Sequence, residues 1–391
     1  MPQSLKIGLV LPTVSGYSET FIISKIKGLL KHGYSVSIFV NQYNPSKSDT
    51  IQIPIYTQTD ISKKILLPFN LGYLIISHPI IILKFIRYER HANRNWLSIV
   101  KHLILNSHIL NKKLDWLHFG FATMGIQREN VAKAIGAKSA VSFRGFDIGL
   151  YPHKHYDCYN LLWKTIDKVH TISDDLYNQA LDLGLNAEIP FQKITPAIDI
   201  NIFTSNEKQG IHNPLRILSV GRLIWIKGFE YALKALEILK NKGFDFEYRI
   251  AGEGNYREAI IYAIQQLDLT GKVTLLGKIS HKEVKDQMEW ADLYIQPSIQ
   301  EGFCNSVLEA KAMGLLTIVT NTEGLSENVL HEETGWVVQK RSAKKIADQI
   351  IIINNMKSVE LDMIREKAIQ HTKSNYNLHD QIMKWDKFYT Q

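Results

Sequence analysis

The sequence predicts an α/β protein of two domains, each built on a doubly wound parallel sheet covered by helices. Apolar strands alternate with amphipathic helices in two stretches, and a segment that carries Pro, Asn and Gly at 196–214 separates them. The length of 391 residues is typical of two domains. Because the strands are apolar throughout rather than alternating, they are expected to be buried on both faces, which favours parallel sheets.

In the first half, short apolar strands are expected between helices. Strands are predicted at 5–11, 34–40, 114–119, 139–143 and 168–172, and helices at 18–32, near 122–135 and at 173–182. Gly33 follows the first helix, at a position where glycine commonly ends a helix. The stretch 61–113 is read as irregular at this point.

The second half is more regular. Strands are predicted at 215–220, 246–251, 272–276, 293–296 and 316–320, and helices at 228–240, 256–266, 281–290 and 306–313. The domains are accordingly predicted as 1–198 and 199–376, followed by a last segment, 377–391.

Composition excludes several classes of protein. Apolar residues make up 45% and charged residues 21%, which rules out a disordered chain. Two cysteines, Cys158 and Cys304, cannot form a disulfide framework, and no Cys/His spacing is typical of zinc, so a reduced, intracellular protein is expected. The apolar run at 5–11 is too short for a signal peptide and is read as a strand.

The net charge of +8 is unevenly distributed. Residues 1–198 carry an excess of nine positive charges, and within 61–113 nine basic residues stand against one acid, Glu89. A basic surface implies an anionic partner, such as nucleic acid, anionic lipid or a phosphate-bearing substrate.

Open α/β sheets bind ligands at the carboxyl ends of their strands, so the loops there are the places to look for a site. Arg222 and Lys227 lie in the loop between the strand 215–220 and the next helix. Two cations beside a helix N-terminus are suited to a phosphate or diphosphate. Two solvated loop cations remain the alternative.

Glu301 and Glu309 follow the strand 293–296 at a spacing of eight residues, which spans about 12 Å if it is wholly helical. That separation does not fit the pair of a retaining glycosidase, which needs about 5 Å. The two carboxylates could instead hold opposite ends of one long ligand. Alternatively, Glu301 only complements the helix dipole and Glu309 is a solvated acid.

Other nucleotide motifs are absent from the sequence. Arg257 occupies the third glycine position of a dinucleotide fingerprint that begins at Gly252, and neither a P-loop nor an Asp-x-Asp motif occurs. No metal and no cofactor are therefore expected. His118 follows the strand residues 114–117, but a lone histidine is more often structural.

These residues together resemble a known family. The second half is similar to the nucleotide-sugar domain of glycosyltransferase family 4, a retaining group with the GT-B fold. The resemblance rests on five segments: Gly221-Arg222…Lys227-Gly228, Ala251-Gly252-Glu253-Gly254, Ala291-Asp292…Gln296-Pro297-Ser298, Glu301-Gly302-Phe303 through Glu309-Ala310, and Glu333-Thr334-Gly335-Trp336. The start of the chain, Pro12…Ser18-Glu19-Thr20-Phe21-Ile22, looks like members that build exopolysaccharide or lipopolysaccharide.

The resemblance implies two Rossmann-like domains that face each other across a cleft, with the C-terminal helix packed back on the first domain. The resemblance implies that Arg222 and Lys227 hold the donor diphosphate. It implies that Glu301 contacts the transferred sugar near the N–H groups of Phe303 and Cys304, and that Glu309 binds the ribose. Gly16 would let the backbone approach the phosphate, His118 would face the sugar, and Glu253 and Asn305 belong to matching substrate-binding segments. Arg144, on the acceptor side, stands where many relatives have His. Ala197 replaces a frequent Gly.

The resemblance implies retaining transfer of a sugar from a nucleotide-diphosphate donor, UDP- or GDP-linked, to a sugar or a lipid-linked sugar acceptor, without a metal. The alternatives are a non-catalytic nucleotide-sugar-binding subunit and a nucleic-acid-binding protein. The first would be expected to lose the charged residues, and the second does not explain the Glu301–Glu309 spacing, so no nucleic acid is expected.

The stretch 65–86 is strongly apolar, but Pro68, Gly72 and Pro79 interrupt it, so a single spanning helix is not expected. Arg87, Arg90, Arg94 and Lys101 follow at helical spacings. One interpretation of 61–113 is a set of helices in the first domain with a solvated basic face. The other is a surface that rests on the anionic inner face of the cell membrane, which predicts a cytoplasmic, peripheral protein.

Overall fold

The computed structural model describes residues 4–13, 20–41, 53–57, 67–204 and 210–391. The chain divides into two compact units, Met1–Ile194 with Ile382–Gln391, and Thr195–Gln381. Each unit contains one sheet in which every neighbouring pair of strands is parallel. The predicted fold class, two doubly wound parallel sheets, is confirmed.

The first unit has a seven-stranded sheet in the order β3-β2-β1-β4-β5-β6-β7. Its strands are β1 (Lys6–Leu11), β2 (Ser35–Val40), β3 (Ile55–Thr57), β4 (Trp116–Phe119), β5 (Lys138–Phe143), β6 (Lys168–Thr171) and β7 (Phe191–Lys193). Strand order reverses between β1 and β4, where Leu9 is in register with both Ile38 and His118. The reversal marks the point at which such sheets bind ligands.

Helices cover this sheet on both faces. They are α1 (Thr20–Lys31), α2 (Leu67–Ser77), α3 (Pro79–His91), α4 (Trp96–Leu110), α5 (Ala122–Gly125), α6 (Val131–Ile135), α7 (Phe146–Gly149), α8 (Tyr151–Lys154), α9 (Asn160–Trp163) and α10 (Asp174–Asp182). The helix predicted near 122–135 is two short helices, because Gln127 between them has a φ of 66° that no α-helix contains. The reading of 61–113 as irregular is wrong for the described residues 67–110, which are largely α2, α3 and α4.

The second unit has a six-stranded sheet in the order β10-β9-β8-β11-β12-β13. Its strands are β8 (Leu215–Val220), β9 (Phe246–Ala251), β10 (Val273–Gly277), β11 (Leu293–Gln296), β12 (Leu316–Thr320) and β13 (Trp336–Val338). Its helices are α11 (Phe229–Asn241), α12 (Arg257–Gln266), α13 (His281–Trp290), α14 (Asn305–Ala312), α15 (Leu325–Asn328), α16 (Ala343–Asn354) and α17 (Ser358–Asn375). Strand order reverses between β8 and β11.

The last helix, α18 (Leu378–Thr390), passes from the second unit into the first. Its aromatic residues Trp385, Phe388 and Tyr389 are buried in the core of the first unit, against β1 and β4. The indole Nε1 of Trp116 donates to the Tyr389 carbonyl at 3.1 Å. Within the described residues, no helix combines the length and the apolar character needed to cross a bilayer.

Candidate active site

The central strands β8 and β11 of the second sheet are neighbours, and the loops that follow them lie at the same edge. The first loop is 221–228 and the second is 297–304. The main-chain N–H of Ile299 donates to the Ile226 carbonyl at 2.7 Å, which holds the two loops together. Gly228 has a φ of 63°, and a Cβ there would lie 2.3 Å from the Pro297 carbonyl oxygen, so this approach requires glycine.

The first and second loops bring Lys227 and Glu301 together. The Lys227 ammonium forms an ion pair with the Glu301 carboxylate, and the two side chains are 11% and 14% exposed. Burial lowers the pKa of Lys227, but the charge and hydrogen bond of Glu301 together with the neighbouring Cys304 outweigh it, and the pKa lies above its ordinary value. The lysine is therefore a fixed cation at the edge of the sheet, and its carboxylate partner also lies 3.3 Å from the Ser298 hydroxyl.

Arg222 supplies a second positive charge to the same edge. It is exposed, and its proximity acts to lower the pKa of Lys227. Two cations that repel each other at a sheet edge are stabilised by an anion bound between them. This arrangement is what a diphosphate site needs.

A cluster of buried polar groups supports the start of α14. The Tyr294 hydroxyl lies 2.7 Å from Ser306 Oγ and 2.9 Å from Gln296 Oε1. Cys304 Sγ lies 3.2 Å from Ser306 Oγ, and burial raises the pKa of this thiol. Since the cluster is satisfied internally, it fixes the second loop and the helix start, where main-chain N–H groups have no helical acceptors.

Phe303 and Cys304 are buried and Asn305 is half-buried at this helix start. The helix begins at Asn305, so the span from Glu301 to Glu309 is only partly helical. Cys304 precedes the helix in extended conformation, and its carbonyl accepts from the side-chain amide of Asn328 at 2.9 Å.

Glu309 is buried in α14 and, among the described residues, no hydrogen bond or ion pair of its carboxylate is found. Burial raises its pKa to about 7. A largely buried carboxylate is stabilised when a ligand supplies hydrogen-bond donors. The alternative of a solvated helix acid is therefore wrong, because Glu309 is only 8% exposed.

Glu253 is exposed in the loop after β9, and its main chain supports the first loop. The Leu223 N–H donates to the Glu253 carbonyl at 2.9 Å. A Cβ on Gly254 would lie 2.1 Å from the Leu223 carbonyl oxygen, so the close contact of the two loops depends on this glycine.

The third loop, 321–324 after β12, contributes a residue that the sequence did not single out. Glu323 Oε2 accepts from the Glu301 main-chain N–H at 3.1 Å, and the Gly324 N–H donates to the Glu301 carbonyl at 2.9 Å. A Cβ on Gly324 would lie 1.8 Å from the Gly302 carbonyl oxygen. Glu323 thereby holds the backbone that carries Glu301, and Lys340 lies 3.7 Å from the other oxygen of Glu323.

In the first unit, His118 is fully buried in a chain of hydrogen bonds. His170 Nε2 donates to the Ile194 carbonyl at 2.9 Å, and because burial lowers the pKa of His170, its Nδ1 accepts from Ser142 at 2.8 Å. Ser142 then accepts from His118 Nε2 at 2.7 Å, and His118 Nδ1 accepts from the Tyr389 hydroxyl at 2.7 Å. Both ring nitrogens of His118 are engaged, so its part in catalysis stays a prediction.

Arg144 follows β5, and its guanidinium lies 4.0 Å from the Phe21 ring centroid. The main-chain N–H groups of Arg144 and Gly145 donate to Asp147 Oδ1 at 2.9 and 3.0 Å. Asp147 is fully buried, and its other oxygen accepts from Ala122, so the loop after β5 is held firmly. Gly16 lies outside the described residues.

Comparison with known proteins shows which enzymes this chain is similar to. Residues 201–371 match the family model of glycosyl transferases group 1. The amylovoran biosynthesis glycosyltransferase AmsK of Erwinia amylovora is 26% identical over 84% of this chain and 86% of its own length. The putative colanic acid biosynthesis glycosyltransferase WcaL of Escherichia coli is 28% identical over 66% of each chain.

Among solved structures, HepE of Anabaena in complex with UDP-glucose is similar over 98% of both chains, with a TM-score of 0.73 and 15% sequence identity. At that identity the likeness shows the fold. It confirms the GT-B fold class for this chain.

Proposed function

We propose that this chain, whose residues 201–371 match the family model of glycosyl transferases group 1, is a retaining glycosyltransferase with a nucleotide-diphosphate sugar donor. The observation that carries the proposal is the meeting of Lys227, Glu301 and Arg222 where the strand order of the second sheet reverses. The site offers fixed cations for a departing diphosphate and a carboxylate for sugar hydroxyls. UDP or GDP is the proposed nucleotide, and the UDP-glucose complex of the structural relative HepE supports UDP.

The donor is proposed to extend along α14. Its diphosphate lies by Arg222 and Lys227, its sugar by Glu301 and the N–H groups of Phe303 and Cys304, and its ribose hydroxyls donate to Glu309. The unpartnered, buried carboxylate of Glu309 supports the last contact, because a diol supplies the two donors that it lacks.

In the proposed reaction, the bond from the anomeric carbon to the diphosphate breaks and the acceptor oxygen attacks on the same face. The acceptor proton passes to the departing diphosphate oxygen, so no side chain acts as general base. Negative charge develops on the diphosphate and positive charge on the sugar, and both are stabilised by groups already in position. Arg222 and Lys227 supply the cationic stabilisation, which supports a reaction that does not need a metal.

The acceptor is proposed to be a sugar or a lipid-linked sugar in the assembly of a cell-surface polysaccharide or glycolipid. The names of AmsK and WcaL support this process, since these relatives are named for the biosynthesis of amylovoran and of colanic acid. Such an acceptor places the enzyme in the cytoplasm, at the inner face of the cell membrane.

The function is tested by screening nucleotide sugars with extracted lipid acceptors and following the anomeric proton by NMR, with and without EDTA. The expected product retains the anomeric configuration of the donor, and EDTA leaves the rate unchanged. An inverted product would contradict the retaining mechanism. Loss of turnover with EDTA and its recovery on adding a divalent cation would contradict the metal-free reaction.

Replacing Glu309 by glutamine is expected to weaken nucleotide binding and to change its pH dependence. The carboxylate accepts hydrogen bonds best when it is ionised. Because its pKa is raised to about 7, ligand binding below that pH is expected to release a proton from the Glu309 carboxyl. Loss of charge-assisted hydrogen bonds is expected to weaken UDP binding by about tenfold to a hundredfold at about pH 8. Calorimetry in buffers of different ionisation enthalpy should detect proton release near pH 6.5 for the wild type, and less for Glu309→Gln.

Glu258→Gln, a change at an exposed acid of α12, is the matched control. The wild type and Glu309→Gln are also expected to differ in the pH dependence of their stability. The pKa of Glu309 is raised in the folded state, so its stabilising contribution is present below the unfolded pKa of about 4.3 and is lost as the pH rises through about 7. Glu309→Gln should therefore gain stability relative to the wild type across that window in urea unfolding. Equal proton release by both proteins would contradict the role of Glu309.

A further inference from the structure

Exposed apolar side chains concentrate on one part of the first unit. Of the 21 large apolar side chains that are exposed in the described residues, eight lie between residues 73 and 100. Six of them belong to the ends and outer faces of α2, α3 and α4: Ile76, Ile80, Leu83, Trp96, Leu97 and Val100. Leu97 and Ile76 are 84% and 83% exposed. Clustered apolar exposure of this kind marks an interaction surface.

Four cations share this surface. Lys84, Arg87, Arg90 and Lys101 are exposed. On α3 they continue the three- and four-residue spacing of Ile80 and Leu83, so apolar and basic side chains occupy one face of the helix. The Arg90 guanidinium lies 5.1 Å from the Trp96 ring centroid, which joins this face to α4. These ten residues are called the basic–apolar face.

The carboxylate that could neutralise these cations points inward. Glu89 is the one acid in the sequence between 67 and 113, and it is 1% exposed. It pairs with His102 at 2.7 Å and accepts from Asn130 at 2.8 Å. Arg94, in contrast, pairs with the buried carboxylate of Glu129 at 3.4 Å. Arg94 therefore has a structural partner, whereas Lys84, Arg87, Arg90 and Lys101 form no ion pair within the described residues.

We propose that the basic–apolar face docks on an anionic lipid bilayer, with α3 lying in the plane of the membrane surface. Apolar side chains flank the cations at both ends of α3, from Ile80 and Leu83 to Trp96 and Leu97. A bilayer surface supplies lipid phosphates for the cations and acyl chains for the apolar side chains over the whole of this area. Nucleic acid would match the cations alone. The proposal goes beyond the transfer reaction and does not depend on the donor or the acceptor.

Vesicle flotation tests the proposal with the full-length protein. Vesicles of phosphatidylcholine alone are compared with vesicles that also contain phosphatidylglycerol, at about 0.1 M and about 1 M salt. The protein is expected to float with the anionic vesicles at low salt, and to be released at high salt because the cations are screened. Binding to neutral vesicles that equals binding to anionic ones, or no binding to either, would overturn the proposal.

Three sets of substitutions locate the surface. Lys84→Glu/Arg87→Glu/Arg90→Glu is expected to lower the bound fraction by about tenfold or more, since each cation near an anionic leaflet adds to affinity. Ile80→Ser/Leu83→Ser should also lower it. The control, Lys344→Glu/Lys345→Glu/Lys367→Glu, makes the same change in net charge at exposed lysines of α16 and α17. An equal loss in the control would show that net charge alone is responsible and would overturn the proposed face.

Circular dichroism and thermal stabilisation by UDP are measured on the same variants. Both should be unchanged, because the basic–apolar face belongs to the first unit and the proposed donor residues to the second. The UDP measurement reports on the proposed transferase function separately, so that failure of either proposal is recognised independently.

Discussion

Replacing Lys227 by methionine is expected to lower turnover by roughly 10²- to 10³-fold, the usual effect of removing one preorganised group that stabilises developing charge. Methionine keeps most of the length and volume of the side chain and removes its charge. Because Lys227 is buried and its pKa is raised by Glu301, it is a fixed cation. Its positive charge matters most when the diphosphate departs, so kcat should fall more than KM rises.

The control for this variant is Lys234→Met, at an exposed position on α11. It should leave turnover unchanged. The turnover of Arg222→Met is expected to lie between those of Lys227→Met and Lys234→Met, since Arg222 is exposed and its charge is screened by solvent. Turnover of Lys227→Met within a factor of about three of the wild type, in a folded protein, would contradict the proposed role of the lysine.

The sequence predicted the second unit best, because its patterns are local. The strands β8, β9, β11 and β12 and the helix α13 begin and end where the apolar runs predicted. Each strand is mainly apolar, although β8 and β9 also carry charged residues, and each is followed by a glycine, a proline or a polar loop. The resemblance indicated Lys227 and Glu301, but it did not show that they form an ion pair with each other.

The helices α2, α3 and α4 were foreseen only as one interpretation of 61–113, without bounds, and this has a physical reason. A helix is recognised in a sequence by polar residues on its outer face, and here the outer face carries Ile76, Ile80, Leu83 and Leu97. The same exposed apolar residues that obscure the helical period form the basic–apolar face. The exposed apolar residues therefore explain both why the helical period is hard to recognise in the sequence and why this surface is proposed to bind a membrane.

Other contacts could not be predicted from the sequence because they join residues that are far apart in the chain. Glu323 acts on Glu301 through a main-chain N–H, and no side-chain motif records such a contact. The Tyr389 hydroxyl meets His118 across 271 positions of sequence. Nothing near either residue indicates the other, and only the return of α18 to the first unit brings them together.

Replacing Glu301 by glutamine is expected to reduce transfer by about a hundredfold or more, while the fold survives. Glutamine keeps the shape of the side chain and the contact with Lys227, but it lacks the negative charge proposed to stabilise the positive charge on the sugar in the transition state. Since the interaction is stronger in the transition state than with the bound donor, kcat should fall with little change in the affinity for UDP.

The pairing of Glu301 with Lys227 calls for a double-mutant cycle, because either single change leaves one charge of a largely buried pair without its partner. Lys227→Met, Glu301→Gln and the double variant are compared by thermal unfolding and by kcat. The double variant should be more stable than Lys227→Met, since no unpaired carboxylate remains, yet its kcat should be no higher than that of the slower single variant. Recovery of kcat together with stability, in a protein that lacks both charges, would contradict the proposed roles of Glu301 and of Lys227 alike.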